Sequence, residues 1–160
     1  MKKVTSNRGG LRWLWLTLIV IAVDQLSKQF VLDHLGYAHS IDLLPFLNIT
    51  LIYNQGAAFS FLNQAGGWQQ WFFSAIAVVV CIAIFIWLAR LPRGARWTGA
   101  ALALIAGGAL GNLAGRLWRG HVVDFIDFHV GSWHWPVFNI ADSCVVVGVI
   151  ILVIITACKK

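Results

Sequence analysis

"FNIADSCVVVGVIILVIITA", residues 138–157, decides the fold. From position 139 it is a predominantly apolar run close to the about 20 residues that a roughly 30 Å hydrocarbon core requires, so it reads as a membrane-spanning helix. Asp142 interrupts it about three residues in, roughly 5 Å deep at about 1.5 Å per residue. A carboxylate at the middle of such a helix costs roughly 2.5–3.5 kcal/mol even on the lenient insertion scale, so this one needs partners or a task.

The rest of the chain is of the same kind. Of 160 residues, 59% are hydrophobic and 11% charged, where soluble domains carry about 25% charged residues. Three further stretches of spanning length lie near 11–32, 68–88 and 97–117. Trp13, Trp15, Trp68, Trp71, Trp87, Trp97 and Trp118 crowd their ends, as interfacial belts do. The expected fold is mainly α and integral to the membrane. It is a single domain over 1–160 with four transmembrane helices, and a small β-sheet with loops lies on the outer face.

Lysine and arginine distribution orients the helices. Nine of the twelve lie before the first span, between the second and third, or after the fourth (Lys2, Lys3, Arg8, Arg12, Arg90, Arg93, Arg96, Lys159, Lys160). Lys28, Arg116 and Arg119 make up the rest. By the positive-inside rule both termini are expected in the cytoplasm, with connections 33–67 and 118–138 outside. The +6 net charge is therefore a topology signal, and its division among three short segments speaks against nucleic acid. Asp24, Gln25, Ser27 and Lys28 follow the first apolar run with no small-x-small pattern, so an uncleaved signal-anchor is expected. Cys81, Cys144 and Cys158 lie in or at the end of apolar spans and read as small hydrophobes rather than a disulfide framework.

The outer connections carry strand signals. In "LNITLIYN" (47–54), Leu47, Ile49, Leu51 and Tyr53 alternate with Asn48, Thr50, Ile52 and Asn54, the period of a half-buried strand. A turn-like "NQGAAF" follows, with Gly56 available for a positive φ. "VVDFIDFHV" and "WHWPVF" flank Gly131-Ser132 as a hairpin whose second arm Pro136 confines to an edge. Asp127 and His129 alternate onto the face opposite Asp124 and read as solvated.

Polar residues from distant parts of the sequence reach one depth near the outer face. The first helix supplies Asp24 and Lys28, the third Asn112 and Arg116, each pair one turn apart on one face. The fourth supplies Asn139 and Asp142, and the loops add Asn54 and Asp124. Asn139 also suits a helix N-cap with Asp142 accepting first-turn amides, though capping alone does not require a carboxylate inside the span. "GGALG" at 107–111 reads as a close-packing surface.

Several chemistries compete for such a layer. Ser27 is adjacent to Lys28 and faces away from it, which speaks against a Ser–Lys dyad. No histidine is placed at the depth of Cys144. His121, Asp124, His129, His134 and Asp142 lack a tight metal-ligand spacing. Two aspartates on different elements remain. Carboxylates held close share a proton, so one acts as base on a water while the other hydrogen-bonds or protonates a carbonyl.

The chain resembles the bacterial lipoprotein signal peptidase (signal peptidase II) family of membrane aspartyl proteases. The similarity rests on "DQLSK" (24–28), "NQGAAFS" (54–60), "GGALGN" (107–112), "VVDFI" (122–126) and "FNIADS" (138–143). It implies an Asp124–Asp142 catalytic dyad. Asn54, Gly56, Asn112, Arg116 and Asn139 would line the substrate site, with Asp24 and Lys28 in support and no metal or cofactor. The implied substrate is a prolipoprotein carrying diacylglycerol on a cysteine, cut just before that cysteine at the periplasmic face of the inner membrane. Membrane phospholipid is an expected partner and a monomer the expected state. The chain departs from the family's usual "GN-x-x-D-R" by carrying Gly115 in place of the acid. Two other readings stand beside this one: a proton-coupled transporter subunit, and a non-catalytic lipid- or lipoprotein-binding protein.

Overall fold

In the computed structural model, which describes residues 9–56 and 67–158, four long helices run as α1 (Leu14–His34), α2 (Trp68–Arg90), α3 (Arg96–Arg119) and α4 (Ile140–Ala157). All four are long and apolar enough to cross a membrane. α1 begins later than the span expected at 11–32, because Gly10–Trp13 form a 3-10 turn, and it runs on to His34. α3 is the central helix, packed against each of the other three. Its small residues make that possible: Ala101, Ala103, Ala106, Gly107, Gly108 and Gly111 are all buried. In lipid there is no hydrophobic force between helices, so close backbone approach over small residues is what joins them. The outward faces of the bundle carry exposed Val79, Ile82, Val153 and Ile154, the surface a bilayer would solvate. Cys81, Cys144 and Cys158 are free thiols.

A four-stranded antiparallel sheet, β1 (Ser40–Leu44), β2 (Leu47–Asn54), β3 (Val122–Val130) and β4 (Trp133–His134), pairs in sequence order. It caps the end of the bundle where α1 and α3 finish and α4 begins. Val31 of α1 packs there against Leu51, Val123 and Phe125, with Ile140 of α4 alongside. A second cluster of Ile84, Leu88, Leu102 and Ala106 closes the opposite end beside Trp13. Strand β1 was not expected from the sequence, although Ile41 and Leu43 alternate there with Ser40 and Asp42. Gly131 takes φ +60° in the β3–β4 turn. The second arm shrinks to two residues before Pro136, leaving an isolated bridge between Ile126 and Phe138.

Strand β2 does not keep the strict alternation its sequence suggests. Ile49 pairs with Ile126, but Ile52 pairs with Asp124, so β2 holds one extra residue between them. Such a bulge reverses which side chains share a face. Ile52 and Asn54 therefore join Asp124 on one face, while Tyr53 stands opposite Val123 on the other. Gly56 also departs from expectation: the positive-φ glycines among the described residues are Gly67, Gly120 and Gly131. The later part of "NQGAAF", at 57–59, lies outside the described residues. Asp127 shares the Val123 face as expected but is not solvated. It is 5% exposed, accepts from the Thr50 hydroxyl at 3.1 Å and contacts His134 Nδ1 at 2.8 Å. Partner residues on the sheet surface bury it, a tertiary effect that strand periodicity does not carry.

Candidate active site

Helix α4 starts where the site is built. Asn139 is its N-cap: the side-chain oxygen accepts from the Asp142 N–H at 3.0 Å, and Asp142 Oδ2 accepts from the Asn139 N–H at 3.3 Å. This reciprocal capping box places Asp142 in the first turn rather than deep inside the helix. Orphan N–H groups and the positive end of the helix dipole favour a carboxylate there. The cost inferred from the bare sequence is thus largely offset. The cap also has a second use. The Asn139 Nδ2 group donates to Asp124 Oδ1 at 2.6 Å, so one residue joins the two carboxylates.

Each carboxylate is then held by an amide of fixed orientation. Asp124, 1% exposed on β3, accepts at Oδ2 from Asn54 Nδ2 at 2.8 Å. The Asn54 oxygen is occupied by the Gly56 N–H at 2.8 Å, which turns its NH₂ toward the aspartate. Asp142 accepts at Oδ1 from Asn112 Nδ2 at 2.8 Å. The Asn112 oxygen takes the Lys28 ammonium at 2.8 Å. Lysine is donor-only, so this contact fixes which way the amide faces. Lys28 is in turn paired with Asp24 at 2.8 Å, both fully buried. Asp24 Oδ1 accepts from the Ala141 N–H at 3.0 Å, tying α1 back to the start of α4.

Burial pushes the Asp124 carboxyl up to about 6, and the nearby Asp142 charge adds to the rise. The hydrogen bonds from Asn54 and Asn139 and the Lys28 charge oppose it. Asp142 is half-buried and is the more open of the two.

Arg116, expected in the substrate site, donates to the Gly56 carbonyl at 2.8 Å and lies 5.9 Å from the Phe73 ring centroid. It thereby braces the end of β2 that carries Asn54. Asp24, Lys28, Asn54, Asn112, Asp124, Asn139 and Asp142 form one hydrogen-bonded network, with Gly56 and Arg116 at its edge. The histidines do not join it. His121 packs on Tyr53, and His129 stacks on His134 beside Asp127.

Sequence reasoning missed Gln25, which donates to Asp24 Oδ2 and to the Gly111 carbonyl at 2.9 Å each and accepts from Arg119 at 3.0 Å. Its place between Asp24 and Lys28 in "DQLSK" was the available signal. Gly111 fits against the same carboxylate: a Cβ there would lie 2.6 Å from Asp24 Oδ2. At Gly115 a Cβ would lie 3.2 Å from the His121 carbonyl oxygen, a tight contact that a side chain could make only if the α3–β3 connection gave by a few tenths of an ångström.

Four membrane-length helices with two aspartates bridged beneath a small sheet define a class: polytopic membrane proteins that hold an acid pair at one end of the bundle. Two solved structures described as bacterial membrane enzymes, determined by the in meso method at 2.3 Å and 1.9 Å resolution, share this architecture. Their TM-scores are 0.82 and 0.80 at 32% and 31% identity, over 93% of this chain and 92% and 94% of theirs. The family model for signal peptidase (SPase) II matches residues 16–158, and the chain belongs to that family. It is 52% identical over 145 residues to the lipoprotein signal peptidase of Alteromonas mediterranea, covering 91% of this chain and 80% of the relative. The lipoprotein signal peptidase of Vibrio cholerae is 46% identical over 153 residues, covering 94% and 90%.

Proposed function

We propose that this chain is an aspartic endopeptidase that removes the signal peptide from diacylglyceryl-modified prolipoproteins, cutting just before the lipidated cysteine. The observation that carries the reading is the Asn139 bridge between Asp124 and Asp142, within a family whose relatives are named lipoprotein signal peptidases. In the monoprotonated pair, the ionised carboxylate takes a proton from water as the water oxygen attacks the scissile carbonyl carbon. The protonated partner donates to the carbonyl oxygen. On collapse of the tetrahedral diol one hydroxyl returns its proton to the second carboxylate as the carbonyl re-forms, the C–N bond breaks, and the proton held by the first carboxyl passes to the leaving amine. Asn54 and Asn112 keep the two acids aimed, and the Asp24–Lys28 pair keeps Asn112 from flipping.

Both termini are assigned to the cytoplasm and the site to the periplasmic face, on the Lys/Arg count. The chain acts as a monomer whose apolar outer faces contact phospholipid. A proton relay would need ionisable groups stepping across the bilayer. The buried Asp, Lys and Arg among the described residues, Asp24, Lys28, Arg116, Asp124 and Asp127, all lie at the sheet end. A purely binding role gives no reason to lift an acid toward neutral pH.

Asp124→Asn and Asp142→Asn test the reading directly. Each is expected to lower cleavage of a lipidated prolipoprotein, read by gel shift, by at least about 10²–10⁴-fold. The double variant should be little worse than either single, since the pair acts as a unit. Near-normal turnover in Asp142→Asn would return that residue to the role of helix cap alone.

A further inference from the structure

The site has a greasy side. A cavity of about 300 Å³ beside Asp142 is lined by Trp135, Phe138, Asp142, Ser143, Val146 and Val147. A second cavity of about 290 Å³ continues from the same Trp135 and Phe138 along Leu47, Ile126 and Phe128. Asp142 is the sole ionisable group in either lining, and the Ser143 hydroxyl is already spent on the Asn139 carbonyl at 3.0 Å. Away from the carboxylate, then, the walls suit hydrocarbon. Sites for small ligands run from about 300 to 1,000 Å³, so this one takes part of a long chain rather than a whole lipid.

Its direction says more. Ser143, Val146 and Val147 form one stripe of α4 at i, i+3 and i+4. Val146 and Val147 are exposed on the outside of the bundle. An occupant touching Asp142 at one end therefore passes into the bilayer at the other without crossing polar ground. A peptide side chain has no need of that exit. A comparable apolar cavity of about 350 Å³, between α1 and the sheet around Phe30, Leu43 and Phe125, has no carboxylate in its lining. Phe125 also stands on the opposite strand face from Asp124.

We propose that the cavity between α4 and Trp135–Phe138 seats the first part of one acyl chain of the lipidated residue that follows the scissile bond. This rests on the processing reading above, which requires hydrocarbon attached beside the cut bond and leading to the membrane. The cavity positions the chain more than it holds it: hydrocarbon leaving a bilayer for an apolar wall gains little. Threading one tail along α4 fixes the lipidated residue against Asp142, so its carbonyl neighbour meets the carboxylate pair in register.

The test uses the full-length protein in bilayers. Val147→Trp narrows the membrane end of the cavity and leaves both aspartates unsubstituted, and Val149→Trp, lipid-facing on the same helix but outside the cavity, is the control. Val147→Trp is expected to lower kcat/KM on a dipalmitoylglyceryl prolipoprotein by about ten- to a hundredfold, the scale of a misplaced reacting bond. Val149→Trp is expected to match the unsubstituted protein. Should Val147→Trp fail to fold, a prolipoprotein with a photoactivatable group midway along its acyl chain is cross-linked to Asp124→Asn, and adducts are mapped by mass spectrometry. Adducts at Trp135, Val146 or Val147 support the assignment. Adducts at Phe30 and Leu43 overturn it, as does equal labelling of the same residues by a photoactivatable phospholipid under excess prolipoprotein. Cleavage by the unsubstituted protein with Val147→Trp equal to its control would sink the acyl assignment alone. Failure of the unsubstituted protein to cut would sink the processing reading and the assignment with it.

Discussion

Asn139 donates its amide to Asp124, its backbone N–H to Asp142, and accepts the Asp142 N–H on its side-chain oxygen, so a change there moves both acids and the start of α4. Serine separates these duties, because it caps a helix nearly as well but has no amide to reach Asp124. Asn139→Ser is therefore expected to leave the thermal midpoint nearly unchanged while lowering turnover by about 10- to 100-fold, the value of a lost hydrogen bond to a charged group. Equal losses of midpoint and turnover would mean the residue is a cap and nothing more. Asp124 offers a second handle, with a sign that can be worked out. Its folded value, about 6, lies above the usual 3.8, so the folded protein binds its proton more tightly. That stabilisation is complete below about pH 4 and is lost as pH rises through 6. The thermal midpoint should fall across this window, and the fall should vanish in Asp124→Asn. In Asp142→Asn, with one raising charge gone, the Asp124 transition should move to lower pH in ¹³C-aspartate NMR. An upward move would contradict the placement. At this scale Asp24, Lys28, Asn112 and Arg116 were legible because helical spacing puts each pair on one face. Asp127 was misread, because the Thr50 and His134 that bury it come from neighbouring strands.

Helix α3 meets α1 and α4 over glycine, and at Gly111 the neighbour is the Asp24 carboxylate itself. The same Oδ2 accepts from Lys28 and Gln25, so an added methyl pushes on the ion pair that orients Asn112. Gly111→Ala is expected to cost about 1–3 kcal/mol of stability by overpacking and to lower turnover as well. Gly94→Ala, at an exposed position with open space around it, should change neither. A stable and fully active Gly111→Ala would show that Asp24 can yield without disturbing the acids. Periodicity told helix from strand for these elements, and it found β2 and β3. It could not locate the bulge between Ile49 and Ile52, because register depends on the partner strand. Alternation in 47–54 alone would set Asn54 on the face opposite Tyr53 but leave open which side of β3 it meets. It is the bulge that puts Asn54 beside Asp124.

The whole molecule sorts its chemistry to one end, with Lys28, both aspartates and the sheet together and the exposed thiol of Cys158 at the other. Ser132, in the exposed β3–β4 turn, gives the matching probe. In intact cells a membrane-impermeant maleimide should label Ser132→Cys and spare Cys158, and permeabilisation should add Cys158. The reverse pattern would invert the assigned orientation. Fold class was legible from composition because a bilayer demands spans of one length, whereas the union of five distant segments into one network was visible only as a shared depth. That union has a consequence for timing. Ribosomes deliver the polypeptide from its first residue onward, so Asp24, Lys28, Asn54, Asn112 and Asp124 all emerge while Asn139 and Asp142 are still to be translated. Until the last helix is released and inserted, Asp124 lacks its bridging amide and its partner acid. A nascent chain can thus dwell among other newly made membrane proteins with its carboxylate network half-built, and completes that network only once residues 139–142 have been made and α4 has inserted.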